Sequence, residues 1–211
     1  AAGFGVQEMV WYMVMTETIV LSTPRIQSTI DEEVKSGSIA YLLNRPFGYL
    51  SYQFFTYWGE VVSRLPVNFI VGGAVAVAAV GWFDFQPTAL PFILLAVILA
   101  LVLNFYMLIS IGLAAFWVED TAPFYWIYQK ILFIMGGLLI PLDVYPESLQ
   151  RISKWLPFNY ILWGPAKLFV RFDPILLRQV LLNQVIWIGI MGVVAHLIYG
   201  RGVRKVVVHG G

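Results

Sequence analysis

Residues 90–118 read LPFILLAVILALVLNFYMLISIGLAAFWV and contain no charged side chain. A helix needs about 20 consecutive apolar residues to cross the hydrocarbon core of a bilayer, and this run exceeds that. No water reaches the core, so the backbone must satisfy its own hydrogen bonds, in a helix or a closed barrel. Barrel strands alternate apolar and polar residues over about ten positions. The run here is continuous, which predicts a membrane-spanning helix. Two further stretches, residues 61–82 and 176–199, meet the same criterion. Residues 123–142 form a fourth, interrupted by Gln129 and Lys130. The fifth and weakest, residues 4–21, carries Glu8, Thr16, Glu17 and Thr18. A carboxylate at mid-membrane costs about 2.5–3.5 kcal/mol, and each Val, Ile or Leu returns about 0.3–0.6. The apolar residues around the two glutamates suffice if Glu8 sits at the surface. The expected fold is therefore an all-α integral membrane protein, a polytopic helical bundle of five visible spans in one domain, residues 1–211.

Composition agrees. Of 211 residues, 60% are hydrophobic and 12% charged, and mean hydropathy is +0.79. Ordinary globular chains have about 45–50% and about 25%. This balance excludes a soluble enzyme, a disordered tail and a nucleic-acid-binding module. A net charge of +1 offers no attraction to a polyanion. The absence of cysteine removes disulfides, thiolate metal sites and cysteine nucleophiles. Two histidines, His196 and His209, are too few for a dense metal site. No lysine follows a glycine, so the chain carries no phosphate-binding Gly-x-x-x-x-Gly-Lys loop. No catalytic residue, cofactor or metal site is expected.

Loop charges set the expected orientation. Arg25, Lys35 and Arg45 follow the first span, and Arg201, Arg204 and Lys205 follow the last, whereas residues 84–88 carry no cation. This places residues 25–59 and the tail in the cytoplasm and the first residue outside. Residues 143–173 then fall outside despite Arg151, Lys154, Lys167 and Arg171. Residues 1–7 carry no basic residue, so no signal peptide is visible there, and a truncated or processed start with one span missing is an expectation of this count.

Two segments are neither spans nor simple loops. In residues 25–59, Ile26, Ile30 and Val34 form an apolar stripe. Thr29 with Glu32 matches a capping box that starts a helix near Ile30. Asp31 and Lys35 are spaced to pair, Gly37 breaks the helix, and Ser38 can cap the next. Arg45-Pro46 ends that one, and a dense aromatic run from Phe47 to Trp58 follows. The segment reads as a helical elbow on the cytoplasmic face, with Asp31, Glu32, Glu33 and Lys35 presented to a partner and Arg45 placed to reach a carboxylate. Residues 143–175 are cut by Pro146, Pro157, Pro165 and Pro174 into short apolar helices, about residues 149–156 and 160–170, suited to the membrane boundary. Asp173-Pro174 is a good start for the last helix.

Within the spans, Glu17 is the ionisable candidate for a pathway role. Lys130 reads as a snorkelling or substrate-facing cation and Asn104 as interhelical glue. His196 falls near a helix end. Gly72 with Ala76, and Ala74 with Ala78, are small-residue pairs that let helices approach closely.

Residues 31–46, Asp-Glu-Glu-Val-Lys-Ser-Gly-Ser-Ile-Ala-Tyr-Leu-Leu-Asn-Arg-Pro, resemble the cytoplasmic signature of ABC-2 superfamily permeases, closest to bacterial multidrug-type or uncharacterised exporters. Pro157-Phe-Asn-Tyr160 and the closing Gly210-Gly211 are similar to that group too. The resemblance implies six spans, a coupling helix docked on a separate ATPase subunit that binds the ATP, and short helices dipping in from the outer face. It implies an export permease in the inner (plasma) membrane, paired with a second permease, identical or a paralogue. Asp31, Glu32, Glu33, Lys35, Gly37 and Arg45 become the ATPase-coupling candidates. A secondary ion-coupled carrier using Glu17 or Lys130, or a non-transporting scaffold subunit, are the alternatives.

Overall fold

A computed structural model describes residues 4–43 and 45–209, with side chains through Lys205. Asn44 of the elbow, the closing Gly210-Gly211 pair and the His209 side chain lie outside this description. The described residues form helices and turns with no strand. The helices are α1 (Val6–Ser22), α2 (Ile26–Lys35), α3 (Ile39–Leu43), α4 (Tyr49–Val80), α5 (Leu90–Leu113), α6 (Ala122–Met135), α7 (Glu147–Lys154), α8 (Phe158–Ile161), α9 (Trp163–Val170) and α10 (Pro174–His209).

Among the described residues, three stretches are long and apolar enough to cross a membrane, Tyr49–Val80, Pro87–Phe116 and Pro174–Lys205. At 17 and 14 residues, α1 and α6 are shorter. At 1.5 Å per residue, α6 reaches only about 20 Å against a core of about 30 Å. Helix α4 starts at Tyr49 rather than near residue 61. The aromatic run is thus the first turns of a long helix that also contains Pro66. Helix α10 continues through His209, so His196 is mid-helix, its Nδ1 2.8 Å from the Gly192 carbonyl.

Helix α5 is the hub. It packs against α10, α2, α9 and α8, and 56% of its most apolar window is buried, against 17% for α4 and 11% for α10. The uncovered faces of α4 and α10 are apolar, with Ile70, Val71, Val75, Ile186 and Val193 exposed. Helix α1 lies along α4 and α9. The small-residue pairs divide accordingly. Ala76 is buried, and a Cβ at Gly72 would meet Val14 of α1 at 3.2 Å, whereas Ala74 and Ala78 face outward. Gln184 crosslinks the centre. Its amide donates to the carbonyls of Ala96 and Tyr160, both at 2.9 Å.

Residues 143–175 fold into three short helices that close the end opposite the elbow. Asp143 accepts from Trp163 Nε1 at 2.9 Å and pairs with Lys167. Arg171 grips Glu8 at the start of α1 with two bonds, 2.5 and 2.6 Å. Arg151 pairs with Glu147 at 3.2 Å. Three of the four cations that strained the loop-charge rule thus carry carboxylate partners. Asp173 caps α10 as expected, accepting from Ile175 N–H at 2.9 Å.

Candidate functional site: a seated elbow beside a polar cavity

The elbow is docked on the bundle. Ile26 and Ile30 are buried and Val34 partly so, as the stripe predicts, and α2 lies against the end of α5. The approach depends on Gly112. A Cβ there would stand 3.0 Å from the Gln27 Cα and 3.0 Å from the Ile30 Cβ. The helix begins at Ile26, without a side-chain cap, so Thr29 lies inside the first turns and the Thr29–Glu32 capping box does not form. Apolar contact of the stripe with α5 extends the helix beyond the start that local capping marked.

The elbow charges divide into two sets. Asp31 is buried and pairs with Lys35 at 2.5 Å; Lys35 also reaches Asp120 at 3.6 Å. Glu33 points inward, where it accepts from Tyr49 Oη at 2.5 Å and from Gln53 Nε2 at 2.9 Å. Burial raises the Glu33 carboxyl above its ordinary range, and these two bonds oppose the rise only in part. Only Glu32 of the three consecutive acids is exposed. Gly37 takes a left-handed φ of +74°, which breaks α2 from α3 as expected. The Ser38 hydroxyl turns back to Ser36 Oγ at 2.9 Å instead of capping α3. Arg45 reaches no elbow carboxylate. Its guanidinium stacks over Tyr41 at 5.0 Å and Phe47 at 5.7 Å. Tyr41 is 68% exposed. Sequence reasoning missed this Tyr41–Arg45 knob and the Tyr49–Gln53 anchor. The aromatic after the glycine break and the i,i+4 spacing of the anchor were the available signals.

Beside the elbow, α1, α2, α4, α5 and α6 line an open cavity of about 790 Å³. All three intramembrane candidates, Glu17, Asn104 and Lys130, line it, together with Arg25, Glu60 and Arg64. Asn104 is interhelical glue: it donates to Thr23 Oγ1 at 3.0 Å and accepts from Tyr128. Tyr57 Oη donates to the Leu101 carbonyl at 3.2 Å. Toward the opposite end, Thr16 donates to the Leu138 carbonyl at 2.8 Å and Tyr12 to Gly137 at 2.5 Å, which tie α1 to the turn after α6. Beyond that tie, Trp11, Phe83, Phe85 and Phe169 form a ring cluster with centroids 5.2–6.1 Å apart. This apolar ring cluster lies apart from the polar cavity, whose lining includes none of its residues.

The fold thus combines apolar helices, a docked elbow and a polar cavity beside it. The family model described as ABC-2 family transporter protein matches residues 1–210. The chain belongs to the ABC-2 transporter family. Members are membrane components of ABC transporters, and the family in general works with an ABC ATPase. No curated protein matches this ABC-2 chain.

Proposed function

We propose that this ABC-2 protein is the permease subunit of an exporter in the plasma membrane, driven by a separate ATPase subunit that engages the elbow. The observation that carries the reading is the two-sidedness of the elbow. Its apolar stripe, Asp31 and Glu33 are committed to the bundle, while Glu32, Tyr41 and Arg45 project. A rigidly seated segment passes a push on its outer side to α4 and α5. Exposed Tyr and Arg side chains dominate protein contacts, and a charge such as Glu32 sets partner choice and register. The apolar outer faces of α4 and α10 leave room for lipid and for a second permease, identical or a paralogue. The cavity supplies a path start near the elbow.

The test is reconstitution with a candidate ABC ATPase subunit. Tyr41→Ala with Glu32→Lys leaves insertion intact and lowers ATPase co-purification and substrate-stimulated hydrolysis about tenfold or more. Wild-type association and transport in the double variant would reduce the elbow to a connector. A second reading has one observation behind it: Glu17 lines the cavity, as an ion-coupled carrier requires. Transport driven by an ion gradient without ATP, and lost in Glu17→Gln, is its signature.

A further inference from the structure

Five charged side chains face the cavity: Glu17, Arg25, Glu60, Arg64 and Lys130. Glu60 and Arg64 neutralise each other at 2.5 Å. Among the described residues, Glu17, Arg25 and Lys130 have no ion-pair partner. The uncommitted charge is therefore two cations and one carboxylate, a surplus of one positive. The remaining wall is amphipathic. Val20, Leu108, Leu132 and Phe133 sit beside the hydroxyls and amides of Thr23, Tyr125 and Gln129. Ionisable groups within a helical bundle are expensive and mark a water-filled cavity or a countercharge. At about 790 Å³ the space lies within the range of ligand sites for drug-sized molecules.

We propose that the cavity binds an amphiphile with a single anionic head, a phosphate or carboxylate held by Arg25 and Lys130, and an apolar body laid along the Leu108–Leu132 wall. The sign of the head follows from the charge surplus. Glu17 opposes a second anionic group and so limits the head to about one charge. Arginine and lysine bonds to such oxygens are charge-assisted and strong, and the apolar wall adds affinity that a free anion lacks. The assignment deepens the permease reading by naming the substrate class of that cavity. The same head can come from a bilayer lipid or from a soluble amphiphile.

The test measures binding of three probes to the full chain in nanodiscs of zwitterionic lipid: dodecyl phosphate, dodecylammonium and inorganic phosphate. Dodecyl phosphate should bind about tenfold or more tighter than dodecylammonium, and at least as far ahead of inorganic phosphate. Arg25→Gln and Lys130→Gln should each weaken it about tenfold, and Glu17→Gln should tighten it severalfold. Arg25 and Lys130 are exposed and unpaired, so unchanged thermal melting is expected of their variants. The opposite sign of the Glu17 variant separates a charge effect from general damage. Adding anionic phospholipid to the nanodisc assigns the source: competition marks a lipid, and its absence a soluble amphiphile. Equal or tighter binding of dodecylammonium, or dodecyl phosphate binding that ignores Arg25 and Lys130, overturns the proposal. No ATPase takes part, so a failure here leaves the permease reading standing, and a failure of ATP-driven transport leaves the binding result standing.

Discussion

The elbow and residues 143–175 are built from the same materials and put them to opposite uses. Both are short helices cut by Gly or Pro, both are rich in aromatics, and both carry several charges. At the end opposite the elbow the charges turn on each other and on α1: Lys167 on Asp143, Arg171 on Glu8, Arg151 on Glu147. Residues 158–162 are buried. The elbow instead commits one face to the bundle and leaves Glu32, Tyr41 and Arg45 outside. A segment of the first kind spends most of its charges within the chain. A half-open one of the second kind leaves contacts for another subunit. The difference lies in where the carboxylates point, not in how many there are.

Several substitutions sharpen or break this comparison. The largest effect is expected from Gly112→Val. Its side chain must push back α2 where Gln27 Cα would already stand 3.0 Å from a Cβ. Overpacking of this kind costs about 1–3 kcal/mol, and the elbow should detach. A proteolysis assay at the elbow and ATPase co-purification read it. Wild-type values for both would show that α2 is not seated as described.

Next comes the pair Glu33→Ala and Glu32→Ala. The first leaves Tyr49 Oη and Gln53 Nε2 without their carboxylate acceptor and should cost about 1–3 kcal/mol. The second should change melting by under about 0.5 kcal/mol, as exposed sites do. Equal effects in thermal melts would erase the division of the elbow into an inner and an outer face.

The Glu33 carboxyl also predicts a pH dependence. Its folded pKa is raised by burial, so the folded state binds more protons than the unfolded one between the ordinary carboxylate value and the raised one. Stability therefore rises as pH falls through that window and is lost again as pH rises. Measured relative to Glu33→Gln, which does not titrate, the wild type should gain in melting temperature on mild acidification. A loss in that window reverses the sign and the burial argument with it.

The smallest effect belongs to the opposite end. Arg171→Ala breaks a bidentate pair whose members are 40% and 24% exposed, and such pairs contribute about 0–1 kcal/mol. A melt shift well beyond that would mean Arg171 also holds α9 against α1 by other contacts.

Much of the architecture was legible in the chain. Continuous apolar runs require helices whatever surrounds them, because a bilayer offers the backbone no other partner. The Ile26–Ile30–Val34 stripe, the Asp31–Lys35 pair, the Gly37 break and the Asp173 cap are local, and each follows from spacing along one helix. The resemblance of residues 31–46 to ABC-2 permeases rests on the same short stretch, and the family model extends it over residues 1–210. What only the tertiary structure decided is non-local. Neighbouring glutamates differ by about 100° around a helix, so the seating of α2 on α5, with Tyr49 and Gln53 of α4 beside it, determined that Glu33 is inside and Glu32 outside. Packing of α2 on α5 overrode a valid capping box. Arg45 found rings where a carboxylate was expected. Glu17, Arg25 and Lys130 come from three separate parts of the chain and line one cavity only because the tertiary fold brings α1, the start of α2 and α6 beside it. Period and composition act within a helix, whereas the direction of a charge depends on what the next helix leaves uncovered.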